Sequence, residues 1–366
     1  MKKHVKALGI ATLGLVAFAS LASAGCGSTD AQAGSNAAGE PPAVPGGGEI
    51  TGHDDDASGG GGGGATDAPA PAPAKPGCAA YEEALPTQAS LAGLTFSRET
   101  AKDYLLGALA LRYPVGKAIV EGGMSSEGPL GDCLDVFLAN KSSAEAVLRG
   151  ASTTVHECGH FYDMGLSKGA TSRYVIRPDL AFACEGGDTT SRKGKTFARS
   201  LIKTDAHYAK RKACASRTGG KGCDSYAPIY LDGSPTDGKF DSGDQGYSSV
   251  LEEAAQYVNS LATALAFQER YAGSRASERD GILTFLWYVE RYLAMARADY
   301  PEAYQLISED ECWRRATLTI WDRGRLYLDA TDGMSTLGIE DAELAALVDD
   351  PALTAEIDAL RKIECE

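Results

Sequence analysis

The sequence predicts a mainly helical α+β domain with one small sheet, and three observations lead there. Long stretches between residues 101 and 366 repeat apolar residues at spacings of three and four, as amphipathic helices do. Only two short β-branched or aromatic runs, RYVI at 173–176 and PIYL at 228–231, are bounded by turn formers in the manner of strands. The segment 27–77 is almost entirely Gly, Ala, Pro, Ser and Asp, which confines a buried core to residues 78–366.

Taken in order, the chain opens with Lys2, Lys3 and Lys6, an apolar run Ala7–Leu21 and the small residues ASAGCGS, so residues 1–26 have the layout of a bacterial export signal. The run is too short to span a bilayer comfortably. Cleavage after Ala22-Ser23-Ala24 would release a soluble protein, whereas lipid attachment at Cys26 would anchor it to the envelope membrane. Lipidation is the favoured expectation, although Ser23 stands where an aliphatic residue is usual. Assigning Cys26 to a lipid leaves eight of the nine cysteines, an even number suited to disulfides in an exported domain. Cys214 and Cys223 bracket a polar loop and are candidates to pair, and Cys78 with Cys365 would staple the domain's two ends.

Residues 27–77, with six glycines at 59–64 and PAPAPAKP at 69–76, read as a tether, flexible first and stiffer near the domain. Residues 78–366 suffice for one domain or two closely packed lobes. No apolar stretch of membrane-spanning length follows the signal. The net charge of −15 in an exported chain argues against nucleic acid as a partner. Residues 192–221 carry ten Lys or Arg against Asp205 alone, a local basic face most simply read as solvated. Helices are expected over 101–113, 248–272, 280–300, 311–330 and two C-terminal stretches.

TTVHECGHFYD, 153–163, carries the chemistry. His156, Glu157 and His160 spell HExxH, and only one other histidine, His207, occurs after residue 78. On a helix, residues four apart share a face, so both imidazoles can address one metal ion while Glu157, about 100° round, reaches the space beside it. Leu148, Ala151, Val155, Cys158 and Tyr162 form an apolar stripe centred about 120° from the histidines. The helix can thus bury one face and present the other to a cleft. Cys158 falls on the buried side, as a packed or disulfide-bonded residue. Gly159 would let a backbone or a substrate approach.

This motif resembles that of the HExxH zinc metallopeptidases, the zincins. The resemblance covers the motif helix and, more weakly, a second helix. It implies a zincin-like fold with one catalytic Zn²⁺, His156 and His160 as zinc ligands, and Glu157 as general base. The metzincin extension is absent, since Asp163 and Leu166 occupy its places. The gluzincin branch instead takes a glutamate from a later helix, and GYSSVLEEAAQYVNSLA, 246–262, is similar to that helix. Glu252, followed by Gln256, is the expected third ligand, with Glu253, His207 and Asp163 still open. Against this, Ser249 and Glu252 also spell a capping box. Asp163 is expected to orient a ligand imidazole. Tyr247 is the candidate oxyanion donor, with Tyr257 and His207 behind it.

Asp232, Asp237, Asp241 and Asp244 offer oxygens of the kind Ca²⁺ takes, but their spacing misses the EF-hand pattern, and a turn-rich loop is the simpler reading. The expectation is an exported, envelope-anchored zinc metallopeptidase, an endopeptidase acting on proteins or peptides. The alternatives are a zinc-binding adhesion module without catalysis and a zinc amide hydrolase acting on cell-wall peptides.

Overall fold

The computed structural model describes residues 77–126, 131–208, 226–232 and 242–366. The expected signal, Cys26, almost all of the tether, the Cys214–Cys223 pair and two of the four loop aspartates, Asp237 and Asp241, lie outside the described residues. Within them the chain runs α1 (Ala101–Arg112), α2 (Pro114–Met124), α3 (Cys133–Phe137), α4 (Ala144–Arg149), α5 (Ala151–Leu166), β1 (Thr171–Arg177), β2 (Leu180–Glu185), α6 (Ala227–Tyr230), α7 (Tyr247–Ala266), α8 (Glu278–Asp299), α9 (Pro301–Glu309), α10 (Glu311–Ala330), α11 (Asp341–Val348) and α12 (Pro351–Cys365). The expected α+β class, mostly helix with one small sheet, is what forms.

The sheet is an antiparallel hairpin in which Tyr174 faces Phe182 and Ser172 faces Cys184, with a register irregularity between Val175 and Arg177. RYVI lies in β1 as expected. PIYL does not form a strand, because Pro228 falls in the first turn of α6, where its missing N–H costs nothing. The partner of β1 is the segment immediately after it.

The motif helix α5 is wedged among α2, α7 and β1. Close approach of α2 depends on two glycines: a Cβ on Gly123 would lie 2.3 Å from the Cys158 carbonyl oxygen, and one on Gly122 would lie 2.3 Å from the Tyr162 ring. Every residue of α7 except Ser249 and Glu252 is buried, so this helix is the axis of the core. On its other flank α8 brings Gly281 against the Tyr257 ring, where a Cβ would come within 2.2 Å. Among the described residues no helix is long and apolar enough to cross a membrane.

Among the described residues, three disulfides tie these layers. Cys78–Cys365 joins the ends as anticipated, Cys133–Cys158 fastens α3 to α5, and Cys184–Cys312 fastens β2 to α10. Cys158 therefore belongs to the scaffold.

Candidate metal centre

Helix α5 is positioned by its apolar stripe, with Ala151, Val155 and Cys158 all essentially inaccessible, while Leu148, expected on the same helix, is buried in α4 because the chain breaks at Gly150. The opposite side turns His156 and His160 toward α7. Their Nε2 atoms are 2.9 Å apart. The carboxylate that joins them is that of Glu253, whose Oε2 is 3.7 Å from His156 Nε2 and 3.5 Å from His160 Nε2. His156, His160 and Glu253 form a buried group able to hold a metal ion.

Glu252, expected as the third ligand, is elsewhere. Both its oxygens lie 2.6 Å from His160 Nδ1, on the far side of the ring from the other donors. The capping box does not form either, because α7 begins at Tyr247 with Gly246 as its N-cap, which places Ser249 inside the first turn. The two glutamates are one helical step apart, and the rotation of α7 gives Glu253 to the donor group and Glu252 to the ring behind it.

That placement decides a proton. An ionised carboxylate only accepts, so His160 Nδ1 donates to Glu252, and the Nε2 of a neutral His160 presents a bare lone pair to His156 and Glu253. His156 is held from behind by Ser260, whose Oγ is 3.0 Å from Nδ1. Glu253 Oε2 is buried without a hydrogen-bond partner. The His160 lone pair and the Glu253 oxygen thus converge out of water beside His156 Nε2, an arrangement that favours a cation. Without a metal, a proton on His160 fills that role. Burial opposes its charged form, but the Glu252 and Glu253 carboxylates outweigh that and pull the pKa well above the ordinary imidazole value. Burial likewise opposes ionisation of Glu253, and His160 and His156 overcome it and hold its pKa below the usual range.

Asp163, expected to orient an imidazole, orients instead the neighbouring strand and helix. Its Oδ1 accepts from the Val175 amide at 2.8 Å and its Oδ2 from Gln256 Nε2 at 2.9 Å. Burial, then the Glu252 charge, pushes its pKa well up. Gly159 makes room for a side chain rather than a backbone or substrate, since a Cβ there would sit 1.9 Å from Gln256 Oε1.

Tyr247 does not face the group. Its hydroxyl pairs with Thr317 at 2.8 Å and its ring packs on Tyr292 and Trp313. His207 lies by Asp350, its Nδ1 3.8 Å from the carboxylate, so it joins neither role proposed for it. Tyr257 is close, edge-on to the His156 ring with centroids 4.7 Å apart. Its hydroxyl meets that of Tyr230 at 2.9 Å, and Arg199 lies over the Tyr230 ring at 5.5 Å. Tyr230 was missed because its segment reads as a strand, and Arg199 because it sits in the basic stretch. The apolar context of FARSLI was the available signal, and in the fold Arg199 is 1% exposed. Burial and then the Glu253 charge raise the Tyr230 pKa far above its ordinary value, and Glu157 adds to this at smaller weight. Glu157 itself is partly exposed.

Compared with protein-family models, curated proteins and solved structures, the chain has no match.

Proposed function

We propose that the chain is a zinc-dependent metallopeptidase, exported and held at a bacterial envelope through Cys26. The observation that carries the zinc assignment is the donor set: two imidazole nitrogens and one carboxylate oxygen, mutually 2.9–3.7 Å apart, with the oxygen buried and otherwise unpartnered. Tetrahedral zinc at 2.0–2.2 Å from such ligands sets its donors about 3.3–3.5 Å apart, and three protein ligands with one position left over are the pattern of catalytic rather than structural zinc.

His156, His160 and Glu253 would hold the zinc, which when bound would supply Lewis acidity toward a peptide carbonyl and water. The chain's own residues supply the rest. Glu157 is one step round α5 from His156 and partly exposed, so its carboxylate is the group to take a proton from water and return it to the leaving amine. Tyr230, its hydroxyl kept protonated by burial, is the donor for the carbonyl oxygen as charge develops there, with Tyr257 fixing its direction. Glu252 keeps the proton on His160 Nδ1 and so keeps Nε2 available as a ligand.

The test is hydrolysis of a peptide library by the full mature chain against its Glu157→Gln variant. The variant is expected to retain zinc and lose at least ~100-fold in turnover, the scale of general-base catalysis. Undiminished turnover would remove Glu157 from the mechanism. Zinc uptake without turnover in the parent would favour a binding module.

A further inference from the structure

A polar relay runs from the metal centre into the core. Gln256 Nε2 donates to Asp163 Oδ2 at 2.9 Å and to Glu252 Oε1 at 3.3 Å. Gln256 Oε1 accepts from Asn259 Nδ2 at 2.8 Å. Asn259 Oδ1 accepts from Arg323 Nη1 at 2.7 Å, and Arg323 is held in turn by Glu83, through Nε at 2.8 Å and Nη2 at 3.0 Å. Gln256, Asn259 and Arg323 are each at most 1% exposed.

The direction of this chain is fixed at both ends. A guanidinium only donates, so Asn259 must turn its oxygen to Arg323 and its amide nitrogen to Gln256. Gln256 must then turn its oxygen to Asn259 and its nitrogen to the two carboxylates. A flip of either amide would set like groups against each other out of water, where the cost is highest. The two carboxylates on one side and the Asn259 amide on the other thus select the same orientation of Gln256.

We infer that Asn259, locked by the Arg323–Glu83 pair, is a positioning residue of the metal centre: it aims the Gln256 amide at Glu252 and thereby holds that carboxylate on His160 Nδ1. The inference rests on the reading of His156, His160 and Glu253 as a zinc site. It also makes Glu83, five residues after the Cys78 staple, part of the support of that site.

Asn259→Asp in the full chain separates this from a purely structural network. The substitution is isosteric and strengthens the bond to Arg323, but it cannot donate to Gln256. A structural network predicts unchanged zinc binding. The relay predicts a zinc Kd raised about tenfold, the scale for residues supporting a ligand, and a His160 Nδ1–H proton resonance displaced from its carboxylate-bonded position in the zinc-loaded protein. A Kd within about twofold of wild type with an unmoved resonance would overturn the relay. Should Asn259→Asp not fold, Gln256→Met reads the same relay one link nearer the metal, with the same two outcomes. A wild-type chain that takes up no zinc would instead remove the metal reading, and the relay with it.

Discussion

Exchanging the two adjacent glutamates for glutamine one at a time tests the division of labour between them. Glu252 bonds the ring nitrogen that faces away from the donors, and Glu253 Oε2 stands 3.5 and 3.7 Å from the two that face inward. Partners that support a ligand from behind are worth about 10–100-fold in metal affinity, or ~1.4–2.7 kcal/mol. A carboxylate in contact at ~2 Å feels about three times the attraction of one ~6 Å away across an imidazole, because the Coulomb energy falls as the inverse of distance. Scaling the supporting cost by three gives ~4–8 kcal/mol for Glu253, at least ~1000-fold in Kd. Competition titration against a chelator should therefore show Glu253→Gln losing zinc at concentrations where Glu252→Gln keeps it. Equal losses, or a larger loss for Glu252→Gln, would refute the assignment.

Three further outcomes follow from the same geometry. Gly159→Ala gains ~1 kcal/mol in helix propensity but sets a Cβ 1.9 Å from Gln256 Oε1, so overpacking at ~1–3 kcal/mol should win. Urea unfolding should show net destabilisation with weaker zinc binding, and a stabilised variant with unchanged zinc would contradict the contact. Glu290 is fully buried with its pKa pushed up to about 10, by burial first and then by Asp349, against the pull of Arg325. Because the folded pKa is raised, its contribution is whole below the unfolded value of about 4.3 and declines as pH rises, by up to ~1.4 kcal/mol per unit. Glu290→Gln should thus gain on wild type by up to ~2.7 kcal/mol between pH 6 and 8, and parallel stabilities would contradict a protonated carboxyl. Removing Cys133–Cys158, 25 residues apart, by double alanine substitution should cost about 3.5 kcal/mol in the same assay, and a cost under ~1 kcal/mol would argue against the bond.

How far the sequence reached depends on which contacts are local. The motif was legible because HExxH and its apolar stripe both sit on α5, where spacing alone fixes phase. The phase of α7 did not decide between them: Gln256, Asn259 and Ser260 mark one polar face, but Glu252 and Glu253 are adjacent and both border it, so they were equivalent until tertiary packing set one toward the two Nε2 atoms. Helix α2 was passed over for the same kind of reason. Gly116, Gly122 and Gly123 lower its helix propensity, and their purpose, contact with Tyr113, Tyr162 and Cys158, exists only in the folded chain. Tyr230 and Arg199 reach the centre from segments whose local pattern pointed to a strand and to a solvated basic face.

Anomalous diffraction at the zinc edge, on crystals of the purified protein grown without added metal, tests the central claim most directly. A single strong peak is expected, bounded by His156 Nε2, His160 Nε2 and Glu253 Oε2. A peak bound through Glu252, or none between the two histidines, would contradict it.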